Sequence, residues 1–177
     1  MKWEMNNNKK ALLQEYHLTE QDSTKAVVKY NPAHRSARIS IGDKHRLFFI
    51  ESAGSLTGKY IFKNEYGLTV GMMSNDKWGK EGTVTIEAKK FIYKISNHSL
   101  PELTIYDSTT NRALVSCGLA TGINGTSLSL AQQTNNADSN YLLLGLCWFL
   151  FLPVAKETPV STLRNLYTAG NFIFSSS

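Results

Sequence analysis

Two groups of basic residues offer the clearest chemistry in the sequence. The first group comes from adjoining runs joined by a Gly-Asp turn, and antiparallel pairing would bring it to one end or face of a sheet. An arginine guanidinium binds phosphate through two hydrogen bonds, and a lysine ammonium binds it as a point charge. The alternative is a solvated strand face with solubility charges. We predict an anion-binding or lipid-binding surface from Arg35, Arg38, Lys44 and Arg46 in the first group, and Lys89 and Lys90 in the second.

Motifs for catalysis are incomplete throughout the sequence. The segment 54–60 resembles a phosphate-binding loop, but it has three residues between its glycines and Tyr60 where a P-loop has Ser or Thr. The segment 122–125 lacks the full dinucleotide fingerprint and precedes no predicted helix. No Gly-x-Ser-x-Gly elbow occurs. We therefore predict no catalytic residues, no cofactor and no enzymatic activity.

Histidines and cysteines do not form a metal-binding pattern. The four histidines never show the helical spacing of a zinc motif. Cys117 and Cys147 lie 30 residues apart, one in an apolar strand and one in an apolar helix. We predict that both are inert buried thiols and that no metal is bound. A disulfide between them is geometrically conceivable, but a reducing compartment disfavours it.

The elements that must position these residues are mainly strands. Apolar and polar residues alternate with period two from about residue 25 to 131, and turn residues interrupt the pattern. The short connections cannot hold crossover helices, so the pairing must be mostly antiparallel. The predicted strands lie near residues 25–30, 36–41, 45–51, 59–63, 68–73, 83–87, 90–95, 102–106, 112–117 and 126–131.

A different pattern follows the strands. Residues 141–155 carry no charge, and leucine dominates the run, so we predict a helix over 139–152 that ends at Pro153. The run is short for a transmembrane helix, which needs about 20 apolar residues. A helix that is apolar all round is buried all round, so we expect a core helix. A membrane segment, a strand and an exposed association surface are the competing interpretations.

The 177 residues fit a single domain. We predict an all-β fold with one buried helix, in which an antiparallel barrel of about 10–12 strands surrounds a central hydrophobic α-helix near the C-terminus. Residues 1–22 are predicted to be an N-terminal extension. Residues 156–177 are predicted to be a C-terminal tail, and the sequence leaves open whether this tail adds a closing strand.

Three sequence features together resemble the superfamily of tubby C-terminal domains, LURP-one-related proteins and phospholipid scramblases. They are the hairpin 82–95, the preceding segment 67–71 and the apolar segment 141–152, and the resemblance covers roughly residues 25–155. The resemblance implies a barrel that binds phosphoinositides or other lipids, or acts as an interaction scaffold, without catalysis. The chain departs from the family in the 22 residues after Ala155 and in lacking the Cys-rich and Pro-rich segments of scramblases.

The formal net charge of +5 is concentrated in residues 1–100, which hold 16 Lys and Arg against 10 Asp and Glu. This excess favours anionic partners. We expect a non-enzymatic binding module for anionic lipid or phosphoinositide headgroups on a membrane surface. The alternatives are a structural or protein-interaction domain with a protein partner and no small-molecule ligand, and a membrane-associated protein that uses 141–155.

Location and nucleic-acid binding follow from two further patterns. The first ten residues are mostly polar and lack a signal peptide's apolar segment, so we expect a cytoplasmic protein, with peripheral attachment to a membrane as a further expectation. Trp3, Trp78 and Trp148 do not interleave with the basic residues as an RNA-binding platform would. Nucleic acid is therefore disfavoured as a partner.

Overall fold

Antiparallel β-strands account for most of the described chain. The computed structural model describes residues 1–6, 13–33, 36–42, 44–52, 59–64, 66–75, 80–96, 100–121, 127–133 and 140–157. Within these ranges lie twelve strands and one helix. The strands are β1 (Lys2–Asn6), β2 (Gln14–Glu20), β3 (Ser23–Asn31), β4 (Ser36–Ile41), β5 (Lys44–Ser52), β6 (Lys59–Lys63), β7 (Thr69–Asn75), β8 (Glu81–Ile86), β9 (Lys89–Ser96), β10 (Glu102–Asp107), β11 (Ala113–Thr121) and β12 (Ser127–Gln133), and the helix is α1 (Asn140–Glu157). The predicted all-β class with one helix is confirmed.

Each strand pairs with its neighbours in the sequence, always antiparallel. The first and last of the described strands also pair, so the hydrogen-bonded order returns from β12 to β1. That pairing joins only two residue pairs, Lys2 with Leu130 and Trp3 with Ser129. The β1–β2 pairing, by comparison, joins five.

The ten predicted strands correspond to β3–β12, but β1 and β2 lie in the segment that was expected to be an extension. β2 alternates as a half-buried strand should, with Tyr16 and Leu18 buried. β1 buries only Trp3, which is too few residues for a period to be visible. Tertiary pairing, rather than local pattern, therefore defines β1.

The helix begins one residue after its predicted start and continues through Pro153 to Glu157, so the predicted stop at Pro153 is wrong. A proline inside a helix removes one backbone hydrogen bond and favours a kink, but further turns can follow it. Every side chain from 141 to 152 is buried or half-buried. No helix in the described part of the chain has the length and apolar character needed to cross a membrane. The predicted tail falls largely on residues 158–177, which lie outside the described residues.

The core joins the helix to the inner face of the strands in one cluster. α1 packs against β3, β4, β10, β11 and β12. α1 comes close to β4 at Gly145, where an added Cβ would lie 2.8 Å from Ile39 Cγ2. Close packing of this kind fixes the helix relative to the strands and makes the fold a rigid support for its surface turns.

Candidate functional site

Two neighbouring hairpins have their turns side by side at the same end of the strands, and they carry exposed apolar and basic side chains. β7 pairs with β8, so the β6–β7 turn and the β8–β9 turn lie at the same edge. Tyr66 is 79% exposed, Leu68 63% and Met72 59%. Lys89 and Lys90 are exposed at the start of β9. We call these five residues the hairpin-end surface.

The β6–β7 turn is built by one asparagine. Asn64 Oδ1 accepts hydrogen bonds from the backbone N–H groups of Tyr66 and Leu68, each at 3.0 Å. The Asn64 N–H donates to the Leu68 carbonyl at 3.0 Å, and Gly67 has a φ of 74°, which glycine adopts readily. The turn is therefore fixed by its own hydrogen bonds, while its large apolar side chains point away from the core.

The β8–β9 turn has an unfavourable backbone for its residues. Glu87 and Ala88 have φ values of 49° and 66°. Tight hairpin turns with two positive φ values favour asparagine and glycine, because a Cβ is strained there. The Glu87 N–H donates to the Val70 carbonyl at 3.1 Å, which holds this turn against β7. The β2–β3 turn has a similar backbone, with φ values of 48° at Gln21 and 60° at Asp22, so this conformation is not particular to the β8–β9 turn.

The strand register brings one lysine into the same row as an exposed apolar residue. Met72 pairs with Thr85 across β7 and β8, and Thr85 pairs with Lys90 across β8 and β9. Strands lie about 4.8 Å apart, so the backbones at Met72 and Lys90 are roughly 10 Å apart on one face. A planar ligand surface can contact both side chains at once. The acidic Glu87 lies in the adjoining turn and reduces the local positive charge.

In the first predicted basic group, Arg38 lies two strands away from Glu15 in the same row of the sheet. Arg38 is exposed on β4 and pairs with Lys29 of β3. Lys29 Nζ lies 3.1 Å from Glu15 Oε2, and His17 Nε2 lies 2.7 Å from Glu15 Oε1. Partial burial of Glu15 opposes its ionisation, but hydrogen bonds with His17 and Lys29 outweigh burial and lower the pKa of the carboxyl. The carboxylate therefore offsets part of the positive potential near Arg38.

The other members of that group are not brought into the same row as Arg38. Arg38 pairs with Leu47, whereas Arg46 pairs with Ile39 and Lys44 with Ile41. Successive rows alternate between the two faces of a sheet, so the positions of Arg38 and Arg46 belong to opposite faces. For Lys44 and Arg46 only the backbone is described, and Arg35 lies outside the described residues. The register thus gives no support to a single face shared by Arg38 and Arg46.

Metal-ligating side chains do not cluster within the described ranges. No group of three or more His, Cys, Asp or Glu residues there could hold a metal ion. Residues 54–58 of the segment that resembles a phosphate-binding loop lie outside the described part of the chain, and its last two residues, 59 and 60, begin β6. The hairpin-end surface combines ammonium donors with apolar side chains, which is suited to binding an amphiphilic anion.

Sequence reasoning identified Lys89 and Lys90 but missed Tyr66, Leu68 and Met72. An available signal was the turn itself, in which Tyr66 and Leu68 lie beside Asn64 and Gly67, where polar residues are usual. Comparison with known proteins adds nothing to this assignment, because the chain matches no protein-family model, no curated protein and no solved structure.

Proposed function

We propose that the protein is a non-enzymatic binding module whose hairpin-end surface attaches it to membranes containing anionic lipid headgroups. The observation that carries the proposal is the exposure of Tyr66, Leu68 and Met72 beside Lys89 and Lys90. Large apolar side chains that cluster on a surface commonly mark an interaction site. A membrane interface offers both an apolar layer and negative charge, so it complements both parts of this surface.

The expected energies suit reversible attachment. A lysine near an anionic membrane contributes about 1 kcal/mol. Transfer of a leucine-sized side chain out of water contributes about 1.5–3 kcal/mol when burial is complete. Tyrosine suits the interface because its ring is apolar and its hydroxyl group stays hydrated. A few side chains therefore give weak, salt-sensitive binding, with a cytoplasmic protein held peripherally at the membrane.

The same proposal includes the architecture that the family resemblance implies, a barrel closed around a central helix. The pairing of β1 with β12 and the complete burial of Leu144 and Phe151 on α1 support it. In such a barrel the hairpin ends form a rim. A rim is suited to contact with a flat surface, because several turns of the rim can contact that surface at the same time.

A protein partner is the competing function, and it predicts a different dependence on lipid. Apolar contacts with a protein would need no anionic headgroup. Co-sedimentation with vesicles of phosphatidylcholine alone, and with vesicles that also contain phosphatidylserine, separates the two. We expect binding to the anionic vesicles at low salt and its loss at high salt, since salt screens exposed charges beyond about 8 Å at physiological ionic strength.

The decisive variants remove charge from the proposed surface and, as a control, from another place. Lys89→Gln with Lys90→Gln should weaken vesicle binding by roughly one to two orders of magnitude, at about 1 kcal/mol for each lysine. Arg38→Gln with Lys59→Gln removes the same charge from exposed positions on β4 and β6 and should change binding little. Equal losses in the two double variants, or no vesicle binding at low salt, would overturn the proposal.

A further inference from the structure

The two cysteines, far apart in sequence, approach each other inside the core. Cys117 lies on β11 and Cys147 on α1, and both are fully buried. The Cys147 thiol donates to the Leu103 carbonyl at 3.4 Å, and Leu103 is the β10 partner of Cys117 in the strand register. The Cys117 thiol lies 3.9 Å from the Leu144 carbonyl, one helical turn before Cys147. Each thiol thus lies against a backbone carbonyl that is close to the other cysteine, either in the strand register or along the helix.

The electrostatic surroundings agree with this proximity. Burial, followed by the neighbouring Cys117 thiol, raises the pKa of Cys147 well above its ordinary value. Both groups are free thiols in this structure. A protonated, buried thiol reacts slowly, because the thiolate is the attacking species. Oxidation of the pair therefore depends on transient exposure when α1 moves away from β11.

We propose that Cys117 and Cys147 form an intramolecular disulfide that ties α1 to β11 when the protein meets a low-molecular-weight disulfide such as glutathione disulfide. One cysteine thiolate attacks the small disulfide, which forms a mixed disulfide and releases one small thiol. The second cysteine thiolate then attacks the protein sulfur of that mixed disulfide and releases the second small thiol. The protein loses two protons and two electrons, and the reagent is reduced to two thiols.

The bond would close a loop of about 30 residues that contains β12. In the chain-entropy view, a cross-link over a loop of this length restricts the unfolded chain substantially. We expect a rise in Tm of roughly 5–10 °C for the oxidised protein relative to the reduced protein. The rise requires native geometry, since a strained bond would stabilise less or destabilise.

The test is oxidation of the native full-length chain with glutathione disulfide, followed by free-thiol labelling and peptide mapping without reduction. We expect both thiols to be lost together in a monomer, a peptide pair that joins Cys117 to Cys147, and the higher Tm. Mild denaturant should accelerate the reaction, because opening limits it. Cys147→Ser should leave the other thiol unable to form the bond and should abolish the rise in Tm.

Peptide mapping is done on the protein without substitutions, so the test remains informative even if Cys147→Ser folds poorly. Three results would each overturn the proposal. The first is that native protein keeps two free thiols after a treatment with glutathione disulfide that fully oxidises denatured protein. The second is that glutathione stays attached to either cysteine. The third is that the oxidised protein has a lower Tm than the reduced protein.

Discussion

Trp3 in β1 stacks on Trp148 in α1, with ring centroids 5.4 Å apart and ring planes 14° from parallel. Tyr16 of β2 meets the edge of the same Trp148 ring at 5.5 Å. Both indole Nε1 atoms are buried, and neither has a hydrogen-bond acceptor among the described residues. The stacked rings therefore stabilise the fold through apolar contact, and they pack β1 against α1.

Trp3→Ala should lower the free energy of unfolding by about 3–5 kcal/mol, because it removes a large buried ring and leaves a cavity beside Trp148. The control is Met5→Ala in the same strand, where the side chain is 48% exposed and the change should be small. Denaturant unfolding, followed by circular dichroism, measures both. Equal stabilities for the two variants would mean that β1 does not contribute to the core.

Gly145→Ala should destabilise the protein, although alanine favours a helix by about 1 kcal/mol over glycine. The new methyl group would lie 2.8 Å from Ile39 Cγ2, and overpacking of this kind costs about 1–3 kcal/mol. Thermal unfolding should show a lower Tm. Gly118→Ala is the matched control, because its new Cβ would meet nothing closer than 3.5 Å. A higher Tm for Gly145→Ala would contradict the packing of α1 against β4.

Ala88→Gly should stabilise the protein by about 1 kcal/mol, since glycine has no Cβ to strain at a φ of 66°. The same exchange at Ala113, at the start of β11, should destabilise instead, because glycine weakens a strand. Chemical denaturation of the two variants tests the opposite signs. A loss of stability in Ala88→Gly would show that the turn does not adopt the strained backbone in solution.

Asp107 should remain ionised to unusually low pH. Its carboxylate accepts hydrogen bonds from the Thr109 hydroxyl and from the backbone N–H groups of Thr110 and Thr109, at 2.9 and 2.8 Å for the two amides. These bonds lower the pKa from 3.8 to about 2. Because the pKa is lower in the folded state, the stabilising effect is complete above about pH 4 and is lost as the pH falls through 2.

An NMR titration of the Asp107 carboxyl group measures this directly, and a midpoint near 3.8 would contradict the turn geometry. Asp107→Asn should remove this group's contribution to the pH dependence of stability between about pH 4 and 2. It should leave the titration of Glu15 unchanged, because Glu15 lies on β2 and has its own partners.

The sequence pattern predicts strands and the helix well but not how the strands align. Period-two alternation identifies β3–β12, since every half-buried strand repeats it locally. It does not reveal that Met72 and Lys90, 18 residues apart, share one row, because the register depends on tertiary pairing. Arg38 and Arg46 were expected at one end or face of the sheet, but the hairpin that pairs Ile41 with Lys44 puts them in rows that belong to opposite faces.

The pairing of β1 with β12 also bears on the order of folding. Every other strand pairing joins sequence neighbours through a local turn or loop, whereas this one joins residues 2–3 to residues 129–130. Closing a long chain segment costs more entropy than closing a hairpin, and two residue pairs supply little stabilising energy to offset that cost. The hairpins should therefore form first, and the β1–β12 pairing, which we call the seam, should form last. In the native state the same seam should fray first, so the amide hydrogens of β1 should exchange with solvent sooner than those of β10.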